Sequence, residues 1–525
     1  MPKPFTITTA ISYPNGRPHI GHAYEAIATD AFARAARMMG RDVFFQTGTD
    51  EHGLKMAQAA RARGVEPVVL ADEMSGYFRE MDDLLNISYD RFIRTSEPAH
   101  HVASQAIWQA MVDNGDLYLD RYEGWYSVRD EAYYDESELS VSGGGEKLSP
   151  QGTPVEWTVE ESWFFRLSAY QDRLLALYLD QPDFIQPESR RNEILRFVEG
   201  GLRDLSVSRT SFDWGVKVPG SPDHVMYVWV DALTNYLTGC GYPSDPERMA
   251  RYWAEGGDIV HIIGKDIVRF HTVYWPAFLM SAKLPLPKTV FGHGFLLNRG
   301  EKMSKSLGNV ADPVELAEAY GVDPLRYFLL AEVGFGNDGS YSAEAIVHKS
   351  NTELGNAFGN LAQRVLSFIA KNMEGRVPTP APNADDEALL AQVRQIAMQD
   401  VPGAFERFAP HEAIQAWLRA AYACNAYVDA QAPWALRKTD PARMEAVLAT
   451  LYVCIATLAV SALPVIPRSA EELLDRMGLP QDARTFSAIG TDWYTPLRAS
   501  GHVVGPQQPL FPRLEPPQRK PDARR

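Results

Sequence analysis

Residues 5–48 run strand, turn-rich loop, helix, strand, and few folds accept that order. "FTITTAIS" (5–12) reads as a buried strand, and "YPNGRP" (13–18) carries Asn-Gly and two prolines. From Gly21 to Met39 the chain keeps Ile27, Ala31, Ala35 and Met38 at helical spacing, until Gly40 ends the run. "DVFFQTG" (42–48) is the next strand. Such a unit starts a parallel sheet of the kind that binds nucleotides.

The sheet pattern returns after a gap. "HVMYVWV" (224–230), "DIVHIIG" (258–264) and "TVFGHGFLLN" (289–298) read as strands. Residues 116–225 are rich in Tyr, Trp, Glu and Ser and include the polar loop "SVSGGGEKLSPQGTP", so they read as an insertion splitting the sheet domain. "DPVELAEAYG" and "DPLRYFLL" open helices with Asp-Pro. From about 350 to 480 the strand pattern is gone; "NTELGNAFGNLAQRVLSFIAKNM", "HEAIQAWLRAAYACNAYVDA" and "MEAVLATLYVCIATLAVSAL" predict a helical bundle. The closing "PRLEPPQRKPDARR" is proline-rich and charged, a composition that predicts disorder. At 525 residues several domains are expected.

Composition narrows the setting. Cys240, Cys424 and Cys454 form neither a CxxC nor a disulfide framework, which fits a reducing cytoplasm. No run of membrane-spanning length and no signal architecture is read, so no membrane partner is expected. A net charge of −16 requires any nucleic-acid contact to use a confined basic track; Arg326, Lys349, Arg364 and Lys371 are candidates, and solvated helix faces are the other reading of each.

Two stretches carry chemistry. In "PNGRPHIGHAYE" (14–25), His19 and His22 flank Gly21 where a loop after the first strand enters a helix. Helix N-termini favour anions, imidazoles donate to phosphate oxygens, and a glycine lets a ligand approach the backbone. In "RGEKMSKSLGN" (299–309), Lys302 and Lys305 stand among Ser304, Ser306 and glycines, a cationic loop suited to a triphosphate and to charge developing on leaving pyrophosphate.

Their order, separation and context resemble the HIGH and KMSKS signatures of class I aminoacyl-tRNA synthetases. "AISYPNGRPHIGH", "TGTDEHG", "MYVWVDALTNYL", "IIGKDIVRFHTVYWPAFL" and "GEKMSKSLGN" resemble, in order, the blocks of methionyl-tRNA synthetases, and "NAYVDAQAPW" resembles an anticodon-domain helix of that family. No large editing insertion is present, as the isoleucine, valine and leucine enzymes need. The resemblance implies a Rossmann-like α/β parallel-sheet catalytic domain with an inserted connective-peptide domain, then an all-α anticodon-binding bundle. Its expected boundaries are 1–115 and 226–290 for the two catalytic halves, 116–225 for the insertion, 291–348 for the KMSKS-loop and stem-contact region, 349–500 for the bundle and 501–525 for a tail.

It also implies ligation of L-methionine to tRNA(Met) through methionyl-adenylate, with ATP and Mg²⁺, by contacts to the acceptor end and the CAU anticodon. His19, His22, Lys302 and Lys305 would be catalytic, and Gly21, Glu25, Gly264, Asp266, Leu296, Ser304 and Ser306 would bind ATP. Asp266 reads equally as a helix N-cap. Ile11, Tyr13, Asp50, Trp229, Ala232, Tyr236, His271 and Trp275 would bind methionine, with aromatic walls for the thioether and a carboxylate for the ammonium group.

Departures from the family sharpen the expectations. Many relatives carry cysteine zinc knuckles in the insertion, but this chain has no cysteine between 116 and 225. No structural zinc is therefore expected, and Trp125, Tyr126, Trp157, Trp163 and Phe165 should hold the insertion. Phe486 reads either as a stacking platform for an anticodon base or as a core residue; Asn425 reads as a base-edge contact or a surface amide; Trp434 should pack the bundle. A further C-terminal module is not seen, which favours a monomer. Rival readings are an HxGH-type nucleotidyltransferase and a non-catalytic RNA-binding relative.

Overall fold

Six strands form the central sheet: β1 (Pro4–Thr9), β2 (Asp42–Thr49), β3 (Arg91–Arg94), β4 (Ile185–Gln186), β5 (Asp258–Gly264) and β6 (Thr289–His293). The computed structural model describes residues 2–130, 132–298 and 310–515. The strands lie in the order β3-β2-β1-β5-β6-β4, all parallel. Phe5 sits opposite Val43 on one side and Asp258 on the other. Nearly every residue of β2 and β5 is buried, as a sheet covered on both faces requires.

The strand order reverses between β1 and β5. In open α/β sheets that point leaves a crevice beyond the carboxyl ends of the strands. Helix α1 (Ile20–Met38) leaves β1 there and packs on β1 and β2, with Ile27 and Ala31 fully buried, while Phe32 meets Phe335, Phe405 and Phe408. Helices α2 (Pro98–Asp113) and α3 (Val228–Gly239) contact each other, and α3 also reaches β3.

Two strand expectations change. The run 224–230 is not one strand: Ser221–Met226 pairs antiparallel in a separate three-stranded sheet, and the apolar residues from Val228 onward form α3. A continuous apolar run does not distinguish a strand from a buried helix. The run 289–298 breaks after His293, and Leu296–Asn298 pairs with Gly339–Tyr341 instead. The break is at Gly294, where a Cβ would stand 2.2 Å from the Asn337 backbone.

Within 116–225, Leu117–Ser127 and Glu156–Phe165 form an antiparallel ribbon that sets Trp125 opposite Trp157, ring centroids 5.3 Å apart. Trp163 lies edge-on to Trp108 at 6.1 Å, and Phe165 is fully buried. The Asp130 carboxylate accepts from Ser149 Oγ at 2.6 Å, Thr153 Oγ1 at 2.5 Å and Tyr134 OH at 3.0 Å, while Ser127 Oγ bonds Thr153 Oγ1 at 2.7 Å. β4 lies in this same stretch and returns to the edge of the central sheet.

From Asn360 onward helices dominate, including Asn360–Asn372, Ala384–Gln395, Pro410–Gln431 and Pro441–Ala462. Contrary to the sequence reading, Pro441–Ala462 is long and apolar enough to span a membrane, but most of it is buried among its neighbours, so its apolarity serves the core of the bundle. Arg326 was a candidate for the basic track and is instead fully buried. Its guanidinium donates to Asp30 Oδ2 on α1 at 2.6 Å and, at 3.1 Å each, to the carbonyls of Leu85, Pro464 and Val465. One side chain thus ties α1 to the bundle.

Candidate active site

The α1 terminus is closed by its own histidines. His19 is the N-cap, with Nδ1 accepting from Gly21 N at 3.1 Å, and His22 Nδ1 accepts from His19 N at 3.1 Å. A ring nitrogen that accepts carries no proton, so in each neutral imidazole Nε2 bears the hydrogen. The rings stack with centroids 3.8 Å apart, and His22 meets Phe78 edge-on at 5.0 Å. Gly21 is required by this arrangement: a Cβ there would stand 2.9 Å from His19 Cε1.

The histidines line a cavity of about 530 Å³ at the switch point of the sheet. The loops after β1 and β2 run side by side, with Asp50 N donating to Ser12 O at 2.9 Å. This brings Ile11, Tyr13 and Asp50 to one wall. The opposite wall comes from α3 and from a widened helical turn over Phe270–Tyr274. There Trp229 stacks on Phe270 at 3.8 Å and 6°, and Tyr236 OH bonds His271 Nε2 at 2.7 Å.

That wall is neutral. His271 Nδ1 donates to Ile267 O at 3.0 Å, which leaves Nε2 to accept from Tyr236. Burial lowers the His271 pKa to about 4, so the ring stays uncharged at pH 7. Burial likewise holds His261 well below the usual imidazole range, where it stacks on Tyr236 at 4.0 Å. A box of neutral aromatic faces suits an apolar, polarizable side chain.

The nucleotide end is charged. Glu25 accepts from Ala10 N at 3.0 Å and from His293 Nε2 at 2.8 Å, while His293 Nδ1 donates to Gly294 O at 2.9 Å. Both ring nitrogens of His293 therefore donate, which makes it an imidazolium paired with Glu25. Burial would lower its pKa, but the Glu25 carboxylate overrides burial and raises it. Gly264 gives Asp266 room, since a Cβ there would lie 2.6 Å from Asp266 Oδ1.

The cavity thus brings together fourteen expected residues: Ile11, Tyr13, His19, Gly21, His22, Glu25, Asp50, Trp229, Ala232, Tyr236, Gly264, Asp266, His271 and Leu296. Trp275 does not line it; fully buried, it lies behind Tyr236 and donates to His261 Nε2 at 3.3 Å. The N-cap reading of Asp266 is also corrected, because Gly264 is the cap of that turn. Lys302, Ser304, Lys305 and Ser306 lie outside the described residues. Sequence reasoning missed Phe270 and His293, although Phe270 adjoins His271 and His293 stands three residues before Leu296.

In the bundle Phe486 is 5 % exposed and packed in the core, so it offers no face to a base. Trp434, expected to pack, is 45 % exposed, with the Arg364 guanidinium 5.6 Å from its ring centroid. Asn425 Nδ2 is spent on the carbonyls of Ala357 at 2.7 Å and Ala421 at 2.9 Å. Lys349 lies 3.5 Å from Glu332, Arg364 lies 3.0 Å from Asp429, and Lys371 is exposed.

Comparison with known proteins agrees across the chain. The family model of class I tRNA synthetases (M) matches residues 5–366, and that of the anticodon binding domain of methionyl tRNA ligase matches 377–524. The methionine–tRNA ligase of Brucella suis biovar 1 (strain 1330) is 58 % identical over 510 residues, 97 % of this chain and 98 % of that protein. The corresponding ligase of Mycobacterium tuberculosis (strain ATCC 25618 / H37Rv) is 56 % identical over 525 residues, 98 % and 99 % of the two chains. Mycobacterium tuberculosis methionyl-tRNA synthetase in complex with methionyl-adenylate superposes with a TM-score of 0.93 at 55 % identity, covering 97 % of this chain and 100 % of that one.

Proposed function

Because the chain belongs to the class I tRNA synthetases of the methionine type, we propose that its cleft joins L-methionine to ATP and passes the methionyl group to tRNA(Met). One observation carries this reading. The two segments that should share the nucleotide are anchored together: Leu296, just before the KMSKS stretch, lines the cavity, and Ala311, just after it, accepts from Ile20 N at 3.0 Å, beside His19.

The methionine thioether enters the box of Trp229, Phe270, Tyr236 and His271, with Ala232 at its side and the ammonium group on Asp50. The α-carboxylate attacks the α-phosphorus of ATP; the new O–P bond forms as the bond to the β-phosphate bridging oxygen breaks, and pyrophosphate leaves. His19 and His22 donate through Nε2–H to the phosphates, while Lys302 and Lys305, with Ser304 and Ser306 beside them, neutralise the departing charge. Gly264, Asp266 and Leu296 frame the ribose and base. The terminal ribose hydroxyl of tRNA then attacks the methionyl carbonyl and AMP leaves.

ATP enters as its magnesium complex, the metal arriving on the triphosphate; among the described residues no cluster of three or more metal-ligating side chains stands ready. The insertion folds without zinc, and its hydroxyls and the Asp130 carboxylate hold one another instead. The bundle reads a CAU anticodon, with the exposed ring of Trp434 as the stacking face in place of Phe486. The enzyme works as a cytoplasmic monomer. Methionine-dependent exchange of pyrophosphate into ATP tests the reading. Exchange without added amino acid would indicate a nucleotidyltransferase, and no exchange would indicate a non-catalytic relative.

A further inference from the structure

Behind the pocket lies a buried group of side chains that the chemistry above does not use. Asp231 on α3 is wholly inaccessible to solvent; its Oδ2 accepts from His52 Nδ1 at 2.6 Å and its Oδ1 from His100 Nε2 at 2.7 Å. Burial alone would raise the Asp231 pKa, but the two imidazoles reverse that and hold the carboxyl well below its ordinary range.

The hydrogens follow from the partners. The Thr238 hydroxyl has one proton, directed at Thr234 O at 3.1 Å, so at 2.9 Å it accepts from His100 Nδ1. The Asp231 carboxylate only accepts, so His100 Nε2 also donates. His100 thus bridges Thr238 and Asp231, and Ser104 Oγ stands 3.2 Å from the same Nε2. His52 meets Trp214 edge-on at 5.2 Å, and Trp214 Nε1 donates to Glu51 O at 2.6 Å, which fixes the loop from the other side.

Three elements meet at this group. His52 is two residues beyond Asp50 on the loop after β2, His100 is on α2, and Asp231 lies on α3 between Trp229 and Ala232. The group therefore spans the two halves of the amino-acid site: the carboxylate for the ammonium group and the wall for the side chain. We infer that His52, Asp231 and His100 are positioning residues that set the separation of Asp50 from the α3 wall and so fix which side-chain length the enzyme accepts. This rests on reading the cavity as the methionine site.

The test uses shape-matched substitutions. The Nδ2 of asparagine stands where a histidine carries Nδ1, so His52→Asn keeps the donor to Asp231 and His52→Leu removes it. In pyrophosphate exchange, His52→Leu should raise KM for methionine about tenfold or more and leave KM for ATP within about twofold. It should also erode the preference for methionine over ethionine, which one methylene sets at about 10- to 200-fold. His52→Asn should return both to within about threefold of the parent. Equal behaviour of the two variants, or methionine and ATP constants rising together, would overturn the inference.

Should His52→Leu fail to fold by circular dichroism, His100→Gln serves: it keeps a donor toward Asp231 but loses the ring and its Nδ1 contact to Thr238. It should raise KM for methionine selectively, and no selective rise would overturn the inference. If the parent enzyme shows no methionine-dependent exchange, the pocket reading itself fails, an outcome separate from either variant result.

Discussion

Gly21→Ala should separate stability from catalysis. The added Cβ would lie 2.9 Å from His19 Cε1 and 3.0 Å from His19 Nδ1, both inside van der Waals contact, so the ring must withdraw by about 0.5 Å. Withdrawal weakens the N-cap bond to residue 21, worth about 1 kcal/mol. Replacing glycine by alanine inside a helix returns about 1 kcal/mol of propensity. The two nearly cancel, so the urea midpoint should move little. Catalysis has no such compensation. Displacing a group that must meet the α-phosphate costs about 100-fold per ångström-scale error, or about 2.7 kcal/mol of barrier. Exchange kcat should therefore fall between about 10- and 100-fold with the melting curve unchanged. Full activity in the folded variant would refute the argument that Gly21 exists to seat His19.

Further expectations follow from the same geometry. Tyr236→Phe removes the donor to His271 Nε2 and leaves a buried acceptor unpaired, which should cost about 1–3 kcal/mol in urea unfolding and raise KM for methionine. His271 titrates near 4 when folded and near 6.5 when unfolded, so its contribution is complete above about pH 6.5 and should shrink as pH falls toward 4, by at most about 3 kcal/mol. His293 has the opposite sign: its raised pKa makes the Glu25 pair stabilising below about pH 6.5, and that part is lost as pH rises through the folded value. Urea midpoints across pH 4–9 should resolve both, through loss on opposite flanks. Arg326→Met should destabilise by about 3 kcal/mol, the low end for stranding a buried charge, because Arg34 and Ser88 still serve Asp30. Elemental analysis of purified protein should find no stoichiometric zinc, and one equivalent would contradict the reading of the insertion.

The parts of the site that lie next to one another along the chain were legible in the sequence. The loop at 14–25 announced itself because strand, turn and helix periodicities change within a few residues, and the loop has little choice but to sit at a strand's carboxyl end. What the histidines do locally was not legible: the capping role depends on the extended backbone of His19, which no spacing encodes. Phe270 was missed because the widened turn over Phe270–Tyr274 departs from the 3.6-residue period, so a helical wheel mislocates its faces. Trp275 shows the converse: an aromatic residue at the expected spacing reads as a wall of the pocket, and tertiary packing places it in the core behind that wall. For Phe486, which reads either way in the sequence, packing selects the core. The His52–Asp231–His100 group was invisible for a simpler reason: its members are 179 and 131 residues apart and make no motif until the sheet assembles.

The Arg326 anchorage has a bearing on how distant events are felt at the reacting phosphate. Asp30 lies ten residues along α1 from Ile20, so the guanidinium grips that rod about 15 Å from the tip where the histidines sit. The far jaw of the grip is carbonyl oxygen from the turn between two bundle helices. Swinging the bundle would have to break a desolvated contact of several kcal/mol or drag the rod with it. A transfer RNA seated on the bundle would therefore pull, through Arg326, on the same rod whose tip carries the histidines.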